Sequence, residues 1–226
     1  MKKEKLLIVQ PHSDDALLSC SHCLLTEGYE VQVLTVECDP KRIAEDEKLY
    51  DFLGIPFHHL NVEYIDNSYY AFREKYKDVT IENSYEFLRN YAGKDTLAEI
   101  EYELIEFVRK FFKKNKGYTL MAPWGIGHPF HLFVRDVLEQ SISIMQYYRE
   151  FPHSYKKRAQ AQIERMTEGG HAYTLKKKVE ITDFADVKWK LASKFYRTQS
   201  GLLFYEQSYV KKNLPEEVYV KDDLPF

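Results

Sequence analysis

The stretch KLLIVQPHSDDALLSC (residues 5–20) decides how the chain folds. It opens on a short apolar run that ends at Pro11, as expected of a buried parallel strand. Apolar residues then recur at helical spacing through residues 15–27, and Gly28 is placed to stop that helix. The polar residues between these two patterns therefore lie in a loop that leaves the carboxyl end of a strand.

The alternation of strand and helix continues along the chain. Strands are predicted at residues 5–10, 29–37, 57–62, 118–124 and 178–181, and helices at 15–27, 41–53, 97–114, 132–147 and 185–196. The segment 64–94 is interpreted as loop with short helical pieces, and the charged tail from Lys211 is expected to fray.

This order implies a parallel sheet with right-handed crossovers, because three strands and two helices alternate over residues 5–62. The predicted fold class is α/β, Rossmann-like, with helices flanking a mostly parallel sheet. No internal repeat and no clean linker interrupts the chain, so residues 1–226 are interpreted as a single domain.

The composition is that of an ordinary globular protein. Hydrophobic residues make up 44% of the chain and charged residues 30%. A formal net charge of −3 argues against nucleic-acid binding, which needs a basic face. The basic clusters at residues 156–158 and 176–178 have acidic neighbours and are interpreted as solvated surface. No run of 18 apolar residues exists, so no membrane span is predicted.

The cysteines indicate a reducing compartment. Cys20, Cys23 and Cys38 are too few, and odd in number, for a disulfide framework. Cys20 and Cys23 form a C-x-x-C pair without a second pair, inside an apolar helical pattern, and are expected to be small buried hydrophobes. Because the apolar run at the N-terminus is too short for a signal peptide, the expected location is the cytoplasm.

Histidines and aspartates follow two of the predicted strands. His12, Asp14 and Asp15 come after the first strand, and His128 and His131 come after the fourth. Open parallel sheets bind ligands at the carboxyl ends of their strands, so these side chains converge if the two strands are neighbours. His12 and Asp15 can then turn toward one ion, whereas Asp14, next to Asp15 on a tight turn, projects elsewhere.

This residue set has the chemistry of a metal site. Two histidines and one carboxylate, with water in the fourth place, are the ligands of an open catalytic zinc centre. His128 and His131 are three residues apart, so on a helical turn they lie about 5–6 Å from each other on one face. One of them can bind the metal while the other reaches a substrate. An alternative stays open, in which Asp14 or Asp15 is only the N-cap of a helix.

Both loops resemble those of a known family. PHSDDALLS (residues 11–19) and APWGIGHPFHLFVRDVL (residues 122–138) are similar to the PIG-L/LmbE-like zinc-dependent N-deacetylases, whose motifs read P-H-x-D-D and H-P-x-H. The resemblance covers most of the chain. Weaker similarity to that family extends to KRIAEDEKLYDFLGIP (41–56), YIDNSYYAFR (64–73), YYREFPHSY (147–155) and KWKLASKFYRTQ (188–199).

The resemblance implies a role for each matching residue. His12, Asp15 and His131 would hold one Zn²⁺, with Fe²⁺ as the alternative metal. Asp14 would be the general base. His128 would stabilise the tetrahedral intermediate or protonate the leaving amine.

Three other positions bear on these roles. Arg42 would bind substrate oxygens, although an ion pair with Glu45 or Asp46 on its own helix is an equal alternative. Ala16 stands where many members have Glu, and Phe130 where many have Asp. A hydrogen bond that supports the ligands and one that orients His128 would therefore be absent.

The resemblance implies a hydrolase that removes the N-acetyl group from an N-acetylated amino sugar or sugar conjugate, a small-molecule substrate. Two alternatives stay open: a metal-dependent hydrolase of another bond, and a catalytically degenerate sugar-binding protein. The aromatic segment 64–91 is compatible with a substrate loop and with simple packing. A nucleotide-binding module is disfavoured because the first loop is not Gly-rich. The oligomeric state, including a homo-oligomer, is left open.

Overall fold

The structure, a computed structural model, describes residues 2–37, 39–60, 86, 88, 94–142, 145–168, 173–180, 185–199 and 214–221. Within these ranges it is an α/β fold, a mostly parallel sheet of seven strands flanked by helices. The predicted fold class is confirmed at that level. Most of the segment 64–94, and Cys38, lie outside the described residues.

The elements follow one another along the chain. The strands are β1 (Glu4–Gln10), β2 (Tyr29–Thr35), β3 (Phe57–His59), β4 (Tyr118–Pro123), β5 (Met145–Tyr148), β6 (Tyr173–Val179) and β7 (Glu216–Lys221). The α-helices are α1 (Asp15–Ser19), α2 (Ser21–Leu25), α3 (Pro40–Leu53), α4 (Lys94–Lys114), α5 (Pro129–Glu139), α6 (Gln160–Glu168) and α7 (Ala185–Phe195).

The order of the strands brings the two histidine loops together. Across the sheet the order is β3-β2-β1-β4-β5-β7-β6, and β1 is parallel to both of its neighbours, β2 and β4. The chain changes direction across the sheet between β1 and β4, and such a switch point is where open α/β sheets bind ligands. The two strands that carry the histidine loops are therefore neighbours, as the sequence interpretation required.

Strand β1 is buried on both faces. Leu6 and Ile8 pack with residues of α1, α2, α3 and α7, while Leu7 and Val9 pack on the opposite face with residues of α4 and α5. Because both faces are covered, the strand reads as a continuous apolar run rather than an alternating one. Burial of each such side chain stabilises the fold by about 1.5–3 kcal/mol, so the first histidine loop is attached to a stable strand.

Several predicted boundaries need correction. The predicted helix at 15–27 is two short helices that break at Cys20, and the N–H groups of Ser21 and His22 at the start of the second are capped by the Glu216 carboxylate. The strand predicted at 57–62 ends at His59, with residues 61–62 outside the described ranges. The helices predicted at 41–53, 97–114 and 185–196 are confirmed to within a few residues.

The sequence prediction for the region after α5 is wrong. The predicted helix at 132–147 ends at Glu139, and strand β5 follows. Tyr147 and Tyr148 pack on opposite faces of the sheet, as residues of a strand do. A short run of apolar and aromatic residues does not by itself distinguish a buried strand from a buried helix.

The prediction that the C-terminal tail frays is also wrong for the residues of the tail that form a strand. Residues from Glu216 form β7, which lies between β5 and β6 and is antiparallel to both. Its charges are paired within the fold: Glu216 meets Lys188 at 2.9 Å, and Glu217 meets Arg149 at 2.8 Å. The edge strand β6 begins at Tyr173, earlier than predicted, and carries the exposed lysines of the second basic cluster.

No helix among the described residues is both long enough and apolar enough to cross a lipid bilayer.

Candidate metal centre

The loop between β1 and α1 is closed by hydrogen bonds between its own residues. The backbone N–H of His12 donates to Asp15 Oδ2 at 2.9 Å. Asp14 occupies the N-cap position with φ at 93°, and its side chain makes no capping hydrogen bond. A left-handed backbone costs a non-glycine residue about 1–2 kcal/mol and is typical of functional sites. The carboxyl groups of this loop therefore do not act as helix caps.

A buried network of hydrogen bonds between β1, β2, α3 and the residue after α7 holds this loop in place. Gln10 Oε1 accepts from the backbone N–H of Ala16 at 3.0 Å, and Gln10 Nε2 donates to Asp46 Oδ2 at 3.0 Å. Thr35 and Tyr196 also donate to Asp46. Burial raises the pKa of Asp46 to about 7 even though these hydrogen bonds act in the opposite direction. Ala16 is thus tied through its backbone, in a position without room for solvent.

The loop between β4 and α5 contains two glycines in the left-handed region. Gly125 has φ at 79° and Gly127 at 78°. A Cβ on Gly127 would lie 2.6 Å from the carbonyl oxygen of His153, so only glycine fits there. His128 then stands at the N-cap position of α5, and the first turn of the helix places His131 on the same face, with ring centroids 4.8 Å apart.

His12, Asp15 and His131 each direct one atom to a common point. His12 Nδ1 lies 3.0 Å from His131 Nε2, and Asp15 Oδ2 lies 3.4 Å and 3.2 Å from those two nitrogens. With ligand bonds near 2.0–2.1 Å, two ligands of a tetrahedral ion are about 3.3 Å apart. The three atoms therefore form a triangle of the size that one face of such a site needs.

His128 adds a third imidazole to this point. One nitrogen from each of His12, His128 and His131 lies within 4.8 Å of the others, and all three residues are buried. Among the described residues this group can hold a metal ion. Either Asp15 or His128 can complete the ligand set with the other two histidines, and Asp15 gives the tighter triangle.

Two buried glutamates stand behind the histidines. Glu37 Oε2 lies 3.4 Å from His12 Nε2, and Glu150 Oε1 lies 3.6 Å from His131 Nδ1. Glu150 also accepts hydrogen bonds from the backbone of Gly125 and Ile126, so one carboxylate ties the loop after β4 to the strand beside it. Carboxylates in such positions orient metal-binding histidines. The sequence analysis assigned no role to either glutamate.

Arg42 reaches the site through Glu37. Its Nη1 donates to Glu37 Oε2 at 3.1 Å, and the same oxygen faces His12. Glu45, one of the two partners considered from the sequence, instead accepts from the backbone and hydroxyl of Thr198. The structure thus connects Arg42 to the histidine group through Glu37.

The two adjacent aspartates have opposite electrostatic environments. Burial and the neighbouring Asp15 raise the pKa of Asp14 well above its ordinary range, with Arg42 acting in the other direction. Burial also opposes ionisation of Asp15, but His131 and His12 hold the pKa of Asp15 below its ordinary range. Carboxyl groups whose pKa values are pushed apart in this way suit two different roles, one as a charged ligand and one as a proton acceptor.

His131 shows the balance of charge at the centre. Burial alone would lower the pKa of His131, but the carboxylates of Asp15 and Glu150 outweigh burial and raise it to about 10. The carboxylates around this imidazole therefore favour a positive charge at its position. Surroundings of this kind also favour a bound metal cation.

A fourth histidine, His153, belongs to the same group and had no role in the sequence prediction. Its ring centroid lies 4.9 Å from that of His128 and 5.2 Å from that of His131. Both His153 and Glu150 follow β5, at the same edge of the sheet as the other site residues. The rule that located the five site residues after β1 and β4 would have found these two, if β5 had been recognised as a strand.

Cys20 and Cys23 lie outside this group. Both are buried in the hydrophobic core and carry free thiols. Burial raises the pKa of each thiol well above its ordinary value, and a protonated buried thiol is a poor nucleophile and metal ligand. The expectation that they are small buried hydrophobes is confirmed.

Comparison of the chain with models of known protein families and with curated proteins gave no match.

Proposed function

We propose that this protein is a zinc-dependent N-deacetylase that hydrolyses the N-acetyl group of an amino sugar or sugar conjugate. The observation that carries the proposal is the convergence of His12, Asp15 and His131 at distances of 3.0–3.4 Å between donor atoms. The resemblance of the two loop motifs to the PIG-L/LmbE-like family supplies the reaction and the substrate class. The two buried free thiols suit a reducing compartment, and the proposed location is the cytoplasm.

The donor set supports the choice of metal. Two imidazole nitrogens and one carboxylate oxygen, with a position left for water or substrate, are typical of catalytic zinc. The same combination also suits Fe²⁺, which is the alternative. Such an ion, when bound, polarises a carbonyl group and lowers the pKa of water to about 7.

Asp14 is the proposed general base. It neighbours the proposed ligand Asp15, but its backbone conformation, with φ at 93°, differs from that of a helical residue. Burial and the neighbouring Asp15 raise the pKa of Asp14, which makes its carboxylate a stronger proton acceptor than an ordinary aspartate. Asp14 would take the proton of the attacking water and pass it on toward the departing nitrogen.

His128 is the proposed partner of the reacting carbonyl. Its ring meets that of His12 edge-on with centroids 4.9 Å apart, and the residue is 3% exposed. An imidazole beside the ligands can donate a hydrogen bond to the developing oxyanion or protonate the leaving amine. Arg42 would bind oxygens of the sugar, because its guanidinium lies beside the candidate centre, where it donates to Glu37 Oε2, the oxygen that faces His12.

A panel of N-acetylated amino sugars and their conjugates tests this proposal. Zinc-loaded protein is incubated with each compound, and released amine and acetate are measured together. We expect equal amounts of both from at least one compound. A protein that binds one zinc ion and releases no amine from any of them is not an N-deacetylase of this class.

The role of Asp14 has its own test on the compound that is turned over. We expect Asp14→Asn to keep its zinc and lose roughly 10²- to 10⁴-fold in kcat. Asp51→Asn, at an exposed position on α3, is the matched control and should retain full activity. Full turnover by Asp14→Asn would exclude Asp14 as the base.

One observation keeps a second function in view, that of a sugar-binding protein without catalysis. Phe130, between the two histidines of its loop, is buried and lies with its ring centroid 5.4 Å from that of His12. It has no group that can hydrogen-bond to an imidazole. Saturable binding of a panel compound by the zinc-loaded protein, without release of amine or acetate, would favour this function.

A further inference from the structure

His153 packs against two histidines of the candidate centre. Its ring contacts two members of the centre, His128 at 4.9 Å and His131 at 5.2 Å between centroids. Whereas the other three histidines of the group are buried, His153 is partly exposed. Part of His153 is therefore accessible to solvent, next to histidines that are not.

The chain fixes the position of His153 relative to His128. The carbonyl of His153 packs against Gly127, where a Cβ would come within 2.6 Å, and Gly127 immediately precedes His128. Ser154 donates to the carbonyl of Glu150 through both its backbone N–H and its hydroxyl. One short turn thus carries both Glu150, behind His131, and His153, beside His128.

The structure shows what kind of interaction His153 makes. Its Nδ1 is buried and has no hydrogen-bond partner among the described residues, while its ring makes aromatic contacts with two imidazoles. These contacts, one tilted and one edge-on, make packing of the ring the observed interaction of His153 with the centre. Three imidazole rings contact that of His128. Those of His12 and His131 belong to proposed metal ligands, whereas that of His153 does not.

We propose that His153 is a positioning residue, which holds the imidazole of His128 by ring packing in the orientation that the reaction needs. The inference rests on the proposed deacetylase function. It assigns a role to a residue on the loop after β5 that is not itself a proposed metal ligand and that packs against the proposed ligand His131 and against His128.

Three variants test whether the ring of His153, rather than its nitrogen atoms, is what the reaction needs. His153→Ala removes the ring, His153→Phe keeps a ring without nitrogens, and His59→Phe at an exposed position on β3 is the control. We expect His153→Ala to lose roughly 10- to 100-fold in kcat with KM and zinc content unchanged. His153→Phe should regain most of that loss, and His59→Phe should match the wild type. His153→Leu replaces the alanine variant if that variant does not fold.

A second readout does not depend on turnover. Ring nitrogen and proton NMR signals of His128 are recorded in the zinc-loaded variants. We expect a displaced or broadened His128 signal in His153→Ala and a nearly wild-type signal in His153→Phe. Unchanged kcat and unchanged His128 signals in His153→Ala would overturn the inference, and so would a loss of zinc in that variant.

The two proposals fail in different ways. If the wild type releases no amine from any panel compound, the deacetylase function fails, and the His128 signals alone decide whether His153 positions that ring. If the wild type is active and His153→Phe is as impaired as His153→Ala, ring packing is not the role of His153.

Discussion

Among the described residues, two buried groups of histidine and carboxylate side chains differ in how completely their polar atoms are bonded. In the candidate metal centre, the atoms His12 Nε2, His131 Nδ1 and Glu150 Oε2 are buried without a hydrogen bond. In the second group, the Glu216 cluster (Ser21, His22, Lys188 and Glu216), both oxygens of the carboxylate are bonded, to His22 Nδ1 at 2.6 Å and to Lys188 Nζ at 2.9 Å among others.

This difference separates a structural role from a functional one. Buried polar groups in native proteins are nearly always bonded, so a complete cluster needs no further partner. In the candidate metal centre, by contrast, His12 Nδ1 and His131 Nε2 lie 3.0 Å from each other, a spacing that suits two ligands of one ion. The Glu216 cluster joins β7 to α2 and α7. The candidate metal centre instead directs atoms from two loops to one point and leaves others unbonded.

Loss of the Glu216 carboxylate should be the most damaging change to stability. In Glu216→Gln the buried ammonium of Lys188 loses its charged partner, which typically costs about 3–5 kcal/mol. For a chain of this size that corresponds to a melting temperature lower by roughly 6–20 °C, measured by calorimetry. Glu30→Gln, which breaks an exposed pair with Lys5, is the control and should change little. Equal melting of both variants would contradict the structural role.

The same cluster should make stability depend on pH in the acid range. Although burial alone would raise it, Lys188 and His22 lower the pKa of Glu216 from its ordinary 4.5 to about 2. A carboxyl group with a lowered pKa in the folded state stabilises the protein above its unfolded pKa, and that stability is lost as the pH falls from about 4.5 toward 2. The amount is roughly 3 kcal/mol.

Urea unfolding at pH 6, 4 and 3 checks this prediction. We expect the difference in unfolding free energy between the wild type and Glu216→Gln to shrink as the pH falls. A difference that stays constant down to pH 3 would mean that the charge of Glu216 does not contribute to stability.

The candidate metal centre should respond to metal where the Glu216 cluster does not. Zinc at a hundred times its Kd should stabilise the wild type by about 2.7 kcal/mol, seen as a higher melting temperature. Asp15→Asn should lose this gain because it removes the proposed oxygen ligand, whereas His128→Ala should keep it. The reverse pattern would make His128 the third ligand in place of Asp15.

A smaller effect should come from the carboxylate behind His131. In Glu150→Gln the charge that faces His131 Nδ1 at 3.6 Å is removed, and loss of such a partner lowers metal affinity about 10- to 100-fold. Competition with a zinc-binding dye measures this change. Glu139→Gln, at the opposite end of α5 from His131 and paired with Lys221, is the control and should bind zinc as the wild type does.

The residues that the sequence predicted to converge, and that the structure brings together, share one property. His12, Asp15, His128 and His131 stand directly after apolar runs that were recognised as strands, and the neighbouring positions of β1 and β4 bring them together. Asp14 was also found in this way, but its left-handed backbone is not visible in the sequence. The fold class followed from the same alternation of strands and helices.

The residues that the sequence missed have equally specific reasons. Glu150 and His153 were overlooked because β5 was taken for the end of a helix. Glu37 was counted as part of a strand predicted to run to residue 37, although β2 ends at Thr35. The partners of β7 lie far along the chain, with His22 and Glu216 separated by 194 positions, so the local sequence shows only an unpaired charge where the fold has a complete cluster.

The metal content of the purified protein is the measurement that bears most directly on the candidate centre. Elemental mass spectrometry is applied to the wild type, to His131→Gln and to His22→Gln, the same substitution in the Glu216 cluster, each after incubation with zinc and removal of the excess. We predict one zinc ion per chain in the wild type and in His22→Gln, and none in His131→Gln. Absence of zinc from all three proteins, or equal amounts in all three, would contradict a metal centre built on His12, Asp15 and His131.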